Sequence, residues 1–286
     1  MNIIKTILLL VLFQTAALAQ RPTAYSLKVG DLFRITTEAS QDISQTVMGQ
    51  TQNTQQTTTN VDDYEVIGLD NSIYTIKTTS IKRKVEMSSP MGDMVMDSEL
   101  EGGQNAVMGA LSNQSYQFKM NKFGEILEIE GLEEMLKSLR EDLNASGLGG
   151  QADEILSSYQ GETLKSTLSQ QFNFYEPDMS DSWNKSNTLV VMGTPITTNS
   201  TFKWEGNNII NGASDVEMQG EMEQMGMMMK MDISGIQQTK TTLDESTGMP
   251  TEVVLDQDMA GNVEAQGMTI PMTINSKTIT TFIKQK

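Results

Sequence analysis

Apolar and polar side chains alternate along most of this chain, which is the pattern of strands that bury one face. The alternation is clear at Phe33, Ile35 and Thr37, and strand-like composition returns near residue 174. Valine, isoleucine, threonine and tyrosine, the residues enriched in strands, dominate both stretches. The pattern predicts β structure over residues 20–130 and 174–286.

Turn residues divide these stretches into hairpins. Asp70 and Asn71 separate the strand-like segments 64–68 and 73–79, and both residue types favour tight turns. The polar stretch 40–60 carries little apolar alternation, but its neighbours are strand-like. We interpret it as two long hairpin arms that turn at Met48-Gly49, with a solvated loop as the alternative.

The period of the apolar residues changes in the middle of the chain. Between residues 131 and 173 they recur every three or four positions, with charged residues between them, which is typical of amphipathic helices. The apolar positions are Leu132, Met135, Leu136, Leu139, Leu143, Ile155, Leu156, Tyr159, Leu164, Leu168 and Phe172. Glycines at 147, 149 and 150 separate two helices, so a helical hairpin is predicted, packed by its apolar side on the sheet.

Short motifs recur in the two β-rich halves, which indicates an internal repeat. The matched segments are 30–33 with 180–183, 64–66 with 202–204, and 118–121 with 241–244. The predicted fold is therefore mainly β, an antiparallel curved sheet or half-barrel made of two related β-units. The first unit covers 20–130, the helical hairpin 131–173 is inserted after it and packs over one face, and the second unit covers 174–286.

The first nineteen residues have the features of an export signal. Lys5 precedes an apolar run over 7–13, and Ala17-Leu18-Ala19 is a small-residue cleavage pattern. The run is too short to span a bilayer. We expect a soluble mature chain that begins near Gln20, has no integral membrane segment, and is periplasmic or secreted.

Composition excludes several kinds of chemistry. The chain has neither cysteine nor histidine, so disulfides, thiolate metal sites and imidazole-based catalysis are unavailable. Its formal charge is −17, which repels nucleic acids and anionic lipid headgroups. Carboxylates are plentiful, but no pair stands out as a general acid and base. We expect a protein that is not an enzyme, has no cofactor and has no nucleic-acid partner.

Methionines form the most unusual feature of the sequence. Seven of the 22 methionines fall within residues 218–231, and four of these are spaced by two. On a strand, that spacing places Met225, Met227, Met229 and Met231 on one face. Met94 and Met96 do the same in the first half. Five Met-Gly pairs begin at residues 48, 91, 108, 192 and 225, and several coincide with predicted hairpin turns, so some of these methionines are expected to form an apolar rim.

Three interpretations of the methionines remain open. They could fill a dry core in a structural or interaction protein of the cell envelope, because alternating apolar residues usually mean core. They could line a pocket for a lipid, a lipidated chain or another hydrophobic ligand, since thioether side chains adapt to varied apolar shapes. They could bind Cu(I), which prefers soft sulfur ligands.

The pocket is the favoured hypothesis, and it places a ligand between a methionine-lined sheet face and a helical lid. Its predicted lining combines the methionine stripe with three residues from the apolar side of the helices. The lining residues are Met94, Met96, Met225, Met227, Met229, Met231, Leu136, Leu139 and Tyr159. No metal ligands are predicted, and the sequence does not define an oligomeric state.

Three motifs resemble an uncharacterised family of exported proteins from Bacteroidota-type bacteria. They are Val29-Gly30-Asp31, Asp181-Ser182-Trp183, and Gly235 followed by 243–248. The motifs are turns and aromatic anchors, so the resemblance implies a fold and no activity. A sheet with helices over one face is also similar in architecture to periplasmic lipoprotein carriers of the LolA and RseB kind, which hold acyl chains under a helical lid.

Overall fold

A computed structural model of the protein describes residues 21–157, 159–178, 180–191, 194–206, 208–224 and 227–286. The predicted export signal at 1–19 and the predicted pocket residue Met225 lie outside these residues. For Met227 the structure describes the backbone, which belongs to a strand, but not the side chain.

The described residues form twelve strands and four α-helices. The strands are β1 (Leu32–Val47), β2 (Gln50–Asp70), β3 (Ile73–Ser89), β4 (Gly92–Asp97), β5 (Ser115–Asn121), β6 (Ile126–Glu130), β7 (Ser182–Val191), β8 (Thr194–Gly206), β9 (Ile209–Gln224), β10 (Met227–Leu243), β11 (Pro250–Ala265) and β12 (Met268–Lys284). The helices are α1 (Asn105–Leu111), α2 (Leu132–Ala145), α3 (Ala152–Ser157) and α4 (Gly161–Phe172).

All twelve described strands belong to one antiparallel sheet. Its order is β6-β5-β3-β2-β1-β12-β11-β10-β9-β8-β7, and β4 pairs with β3 beside this path. The first and last strands of the chain are therefore neighbours at the centre of the sheet, while β6 and β7 are at its two ends. The predicted class, a mainly β antiparallel protein with helices packed over the sheet, is confirmed. The polar stretch 40–60 is the hairpin of β1 and β2.

The sheet is curved, because Gln56 of β2 and Leu189 of β7 line the same chamber although they are far apart in the sheet order. Two glycines lie where β10 and β11 approach closely. A Cβ atom on Gly235 of β10 would lie 2.0 Å from the carbonyl oxygen of Asp258, and one on Gly261 of β11 would lie 2.1 Å from that of Asp232. A side chain at either position would therefore push the two strands apart.

Three apolar clusters hold the molecule together. An aromatic core fills the proximal end of the inner face, which is the end where β1 begins and β12 stops, and it includes Phe33, Phe118, Phe172 and Trp183. A helical cluster joins α1, α2 and α3. A methionine cluster occupies the distal half of the inner face around Val216, where most of the methionines are half-buried.

The motifs that match between the two halves make the same backbone contacts. The N–H of Val66 donates to the Asp31 carbonyl at 2.9 Å, and the N–H of Trp204 donates to the Asp181 carbonyl at 3.0 Å. Each contact is followed by a break in strand register, one before Gly68 and one before Gly206. The recurrence of contact and bulge explains why these particular residues repeat in the sequence.

Two equivalent turns at the proximal end are tied together by the N-terminal segment. The Asn121 Oδ1 atom accepts hydrogen bonds from two backbone N–H groups in its turn, and the Asp244 Oδ1 atom does the same in the second half. The N–H of Tyr25 donates to Lys122 and that of Ser26 donates to Thr247, both at 2.8 Å. This segment therefore links the two turns beside the aromatic core.

The equivalence of the two turns predicts a pH effect. Burial raises the pKa of Asp244, but hydrogen bonds from Ser246 and Thr247 outweigh it, and the net pKa is lowered. A lowered folded-state pKa stabilises the fold above the unfolded-state pKa, and this contribution disappears as the pH falls through the folded-state pKa. We expect Asp244→Asn to fold, as Asn121 does in the first turn, and to lose less stability on acidification than the wild type.

Melting temperatures of wild type and Asp244→Asn at about pH 7 and about pH 3 test this expectation. Asp244→Ala is the matched comparison, because it removes the acceptor itself and should cost about 1–2 kcal/mol already at neutral pH. Parallel loss of stability in wild type and Asp244→Asn on acidification would contradict it.

Candidate functional site

Helix α4 lies over the inner face and spans the gap between the two ends of the sheet, where it contacts both β6 and β7. Its apolar side carries Leu164, Leu168 and Phe172 at helical spacing, and all three are buried. The Phe172 ring is in contact with the rings of Tyr25 and Tyr64. The helix is therefore fixed at its C-terminal end by the aromatic core.

A chamber of about 360 Å³ separates α4 from the sheet. Its walls combine apolar side chains with neutral hydroxyl and amide groups and with the ammonium of Lys185. They include Phe174, Asn187, Phe202, Gln237, Thr239, Val253, Leu255, Thr278 and Phe282. The volume lies within the range of small-molecule sites, about 300–1,000 Å³.

A second chamber of about 310 Å³ continues the first towards the distal end. The two chambers share Gln170, Thr198, Gln237, Leu255 and Thr278, so they form one groove. The second chamber also contacts Ile196 and Val216, which belong to the methionine cluster. The groove thus runs from the aromatic core to the methionines.

Strand register divides the groove into bands, because residues paired across strands share a face. A polar belt of glutamine and serine crosses the inner face, and every neighbouring pair in it is in register. From β2 to β7 it comprises Gln56, Gln41, Ser276, Gln257, Gln237, Ser214, Ser200 and Lys185. The next two rows on the distal side are mostly apolar, with Ile43, Ile274, Met259 and Val216 in the first and Met272, Ile233, Met218 and Ile196 in the second.

Two polar side chains of β7 lie at this side of the groove, Lys185 in the belt and Asn187 in the first row on its distal side. The ammonium of Lys185 contacts Asn173 Oδ1 at 2.6 Å, the Tyr175 carbonyl at 2.7 Å and Glu176 at 3.2 Å. Burial lowers the pKa of Lys185, and the carboxylate of Glu176 opposes this effect. Asn187 lines the first chamber, and its buried Nδ2 atom has no hydrogen-bond partner among the described residues. A buried donor of this kind is suited to an acceptor on a bound molecule.

A second polar cluster lies beneath the helices on the inner face. Arg83 forms an ion pair with Asp62, and both side chains are largely buried. Burial raises the pKa of Asp62 and Arg83 opposes that rise. Burial also raises the pKa of the neighbouring tyrosines 64, 116 and 159, which keeps their hydroxyls protonated. The Tyr64 hydroxyl donates to Gln171 of α4 at 3.3 Å, so this cluster positions the lid.

The predicted pocket residues occupy three separate places. Met229 and Met231 belong to the methionine cluster, and Leu136, Leu139 and Tyr159 belong to the helical cluster. Met94 and Met96 on β4 pair with Met87 and Val85 of β3. None of the described predicted residues lines the chambers of the groove. One sequence feature could have indicated the groove, namely the alternating glutamines, serines and threonines of the strands. A polar residue that recurs on a buried face is unusual.

No metal site was predicted, and within the described ranges no three acidic side chains are grouped so that they could hold an ion. No helix in the described part of the chain has the length and apolar composition needed to cross a membrane.

Comparison with solved structures supports the fold. Lipovitellin, in a structure that concerns its lipid–protein interactions, superposes with a TM-score of 0.52 at 10% identity over 90% of this chain. This chain spans only 25% of the length of that protein. The COG4313 outer membrane channel from Pseudomonas putida F1 aligns over 91% of this chain and 97% of its own length at 8% identity. Its TM-score of 0.32 is too low to indicate a shared fold.

No curated protein sequence matches the chain. A family model does match, over residues 71–250, which include the helices α1–α4 and the groove-lining strands β7 to β10. The uncharacterised family expected from the sequence motifs is thereby confirmed. The chain belongs to DUF6263, a family of unknown function.

Proposed function

We propose that this protein is an exported, non-enzymatic carrier or binding protein for a single-chain amphiphile such as a fatty acyl compound. The observation that carries the proposal is the groove beneath α4, which joins a polar belt that holds no described carboxylate to an apolar, methionine-lined half of the same sheet face. A ligand with a short polar head and a long apolar tail matches that division.

The belt suggests how such a ligand would be oriented. Asn187 offers an unpartnered donor in the row next to the belt, with the Lys185 ammonium of the belt two residues away on the same strand face. A carboxyl or ester oxygen would accept from Asn187. The tail would then run along Ile196 and Val216 towards the methionine cluster, where half-buried thioethers can adjust to its shape.

The lining of the groove favours binding over catalysis. The described walls of both chambers hold no carboxylate, and the sequence has no histidine or cysteine. Lys185 is the titratable side chain of these described walls, and its ammonium is engaged by Asn173, the Tyr175 carbonyl and Glu176, so the described lining offers no second titratable group to pair with it as general acid or base. The fold shared with lipovitellin is consistent with a lipid ligand.

Filling the groove tests the proposal. Thr278 lines both chambers, so Thr278→Phe should occupy the space a tail would take. In fluorescence titrations with dansylaminoundecanoic acid, we expect wild type to bind and Thr278→Phe to bind at least about tenfold more weakly, equivalent to about 1.4 kcal/mol. Thr273→Phe is the matched control, because Thr273 is an exposed residue on the opposite face of the same strand.

Circular dichroism of both variants establishes that they are folded. Absence of probe binding by wild type, or equal weakening by the two substitutions, would contradict the groove as a binding site. It would favour a structural protein with a ligand-free interior.

A further inference from the structure

The two ends of the sheet differ in charge. Five connections join described strands at the distal end, between β1 and β2, β3 and β4, β7 and β8, β9 and β10, and β11 and β12. Each contains a methionine next to a glycine and no charged residue between the flanking strand ends, as seen in 47–50, 89–92, 191–194, 224–227 and 265–268. Counted with their flanking strand ends, the proximal connections 70–73, 121–126 and 243–250 carry acidic residues and 206–209 carries none, whereas the acidic residues nearest to two of the distal connections, Asp93 and Glu264, stand one position beyond the strand ends. We call the described distal connections 47–50, 89–92 and 265–268 the distal rim.

The described methionines of the rim point into solvent. Met48 is 86% exposed and Met91 is 99% exposed, whereas Met268 is 39% exposed. Met192 and Met225 lie outside the described residues. Large apolar side chains with this exposure are unusual when they recur at one end of a molecule, and they mark surfaces that contact apolar partners.

The groove is closed at one end and leads to the rim at the other. Proximally, the aromatic core and the segment around Tyr25 and Ser26 fill the inner face. Distally, the inner face carries the half-buried residues Met229, Met231 and Met272, and it ends at the rim. A tail lying in the groove would therefore point its free end towards the exposed methionines.

We infer that the distal rim docks on a zwitterionic lipid surface and that ligands enter the groove there. With a net charge of −17, the molecule is repelled by anionic surfaces, and its distal turns, which carry no charge although Asp93 and Glu264 flank two of them, are the part suited to approach a neutral one. Exposed methionines can insert among headgroups and acyl chains, as apolar side chains do in interfacial proteins. The entry route rests on the proposed function, whereas docking itself does not.

Flotation with pure phosphatidylcholine vesicles tests the docking. Wild type should float with the vesicles, and Met48→Asn combined with Met91→Ser should reduce the bound fraction at least about fivefold, because both inserted side chains become polar. Asparagine suits position 48, whose φ is 50°. The control combines Val29→Ser and Leu69→Ser, which remove apolar residues of 60% and 48% exposure at the proximal end and should leave flotation unchanged.

Replacing part of the phosphatidylcholine by phosphatidylglycerol should weaken wild-type binding. Absence of wild-type flotation, equal loss in both double variants, or stronger binding to the anionic vesicles would overturn docking on a neutral lipid surface. Concentration-dependent dimerisation in sedimentation, abolished by the rim substitutions, would instead assign the rim to a second copy of the chain. Titration of the rim variant with dansylaminoundecanoic acid in vesicle-free buffer separates the two hypotheses, because an intact groove still binds the probe when docking is lost.

Discussion

Gly124→Ala is expected to destabilise the protein by about 3–5 kcal/mol, the sum of a backbone penalty and a steric clash. Gly124 has a φ of +89°, and a Cβ atom there would lie 1.9 Å from the carbonyl oxygen of Phe172. That oxygen already accepts a hydrogen bond from the Tyr25 hydroxyl at 2.9 Å, so the end of α4 cannot move away without breaking this bond. Urea unfolding followed by circular dichroism measures the loss.

Gly49→Ala is the matched control for this change. Gly49 has a similar φ of +79°, but a Cβ atom added at this distal turn would have no other atom within 4 Å. The substitution should cost only the left-handed backbone penalty, about 1–2 kcal/mol. Equal losses for the two variants would show that the contact between the first turn and α4 contributes nothing to stability.

Phe172→Ala is expected to cost about 3–5 kcal/mol and to weaken probe binding as well. The ring is fully buried at the end of α4, and its centroid lies 5.7 Å from that of Tyr64 and 5.9 Å from that of Phe118. Its truncation leaves a cavity and releases the helix that covers the groove. Urea unfolding and titration with dansylaminoundecanoic acid measure the two effects.

Phe172→Leu keeps most of the side-chain volume, so its cost should stay below about 1.5 kcal/mol and probe binding should be retained. If Phe172→Ala lost stability but bound the probe as well as wild type, α4 would not serve as a lid. If both variants lost the same stability, the ring contacts would not be what anchors the helix.

Local patterns were sufficient for much of the fold. The alternation at Phe33 and Ile35 follows from the two-residue period of a strand, and the spacing of Leu164, Leu168 and Phe172 follows from the helical period. The paired motifs at Asp31 and Asp181 repeat because each carbonyl accepts the same backbone hydrogen bond. Such features depend on neighbours a few residues away or on a directly paired strand.

Local sequence patterns did not predict the candidate site. The sequence suggested that Met229 and Met231 face Leu136 and Leu139 across a pocket, but these pairs belong to different clusters. The groove is lined by residues such as Thr278 and Gln237. In the sequence, each of these looks like an ordinary solvent-facing strand position. They are brought together by the pairing of β12 with β1, the last strand with the first, which no local pattern encodes.

The sequence by itself determined the strands, the helices, the repeated turns and a methionine-rich strand face, because each of these depends on short-range periodicity and residue preference. Only the tertiary structure decided that the inner face is banded, that it curves around a groove, and that the exposed methionines of the hairpin turns lie at one end of it. Those properties depend on strand register over the whole sheet, which places residues distant in sequence in the same row.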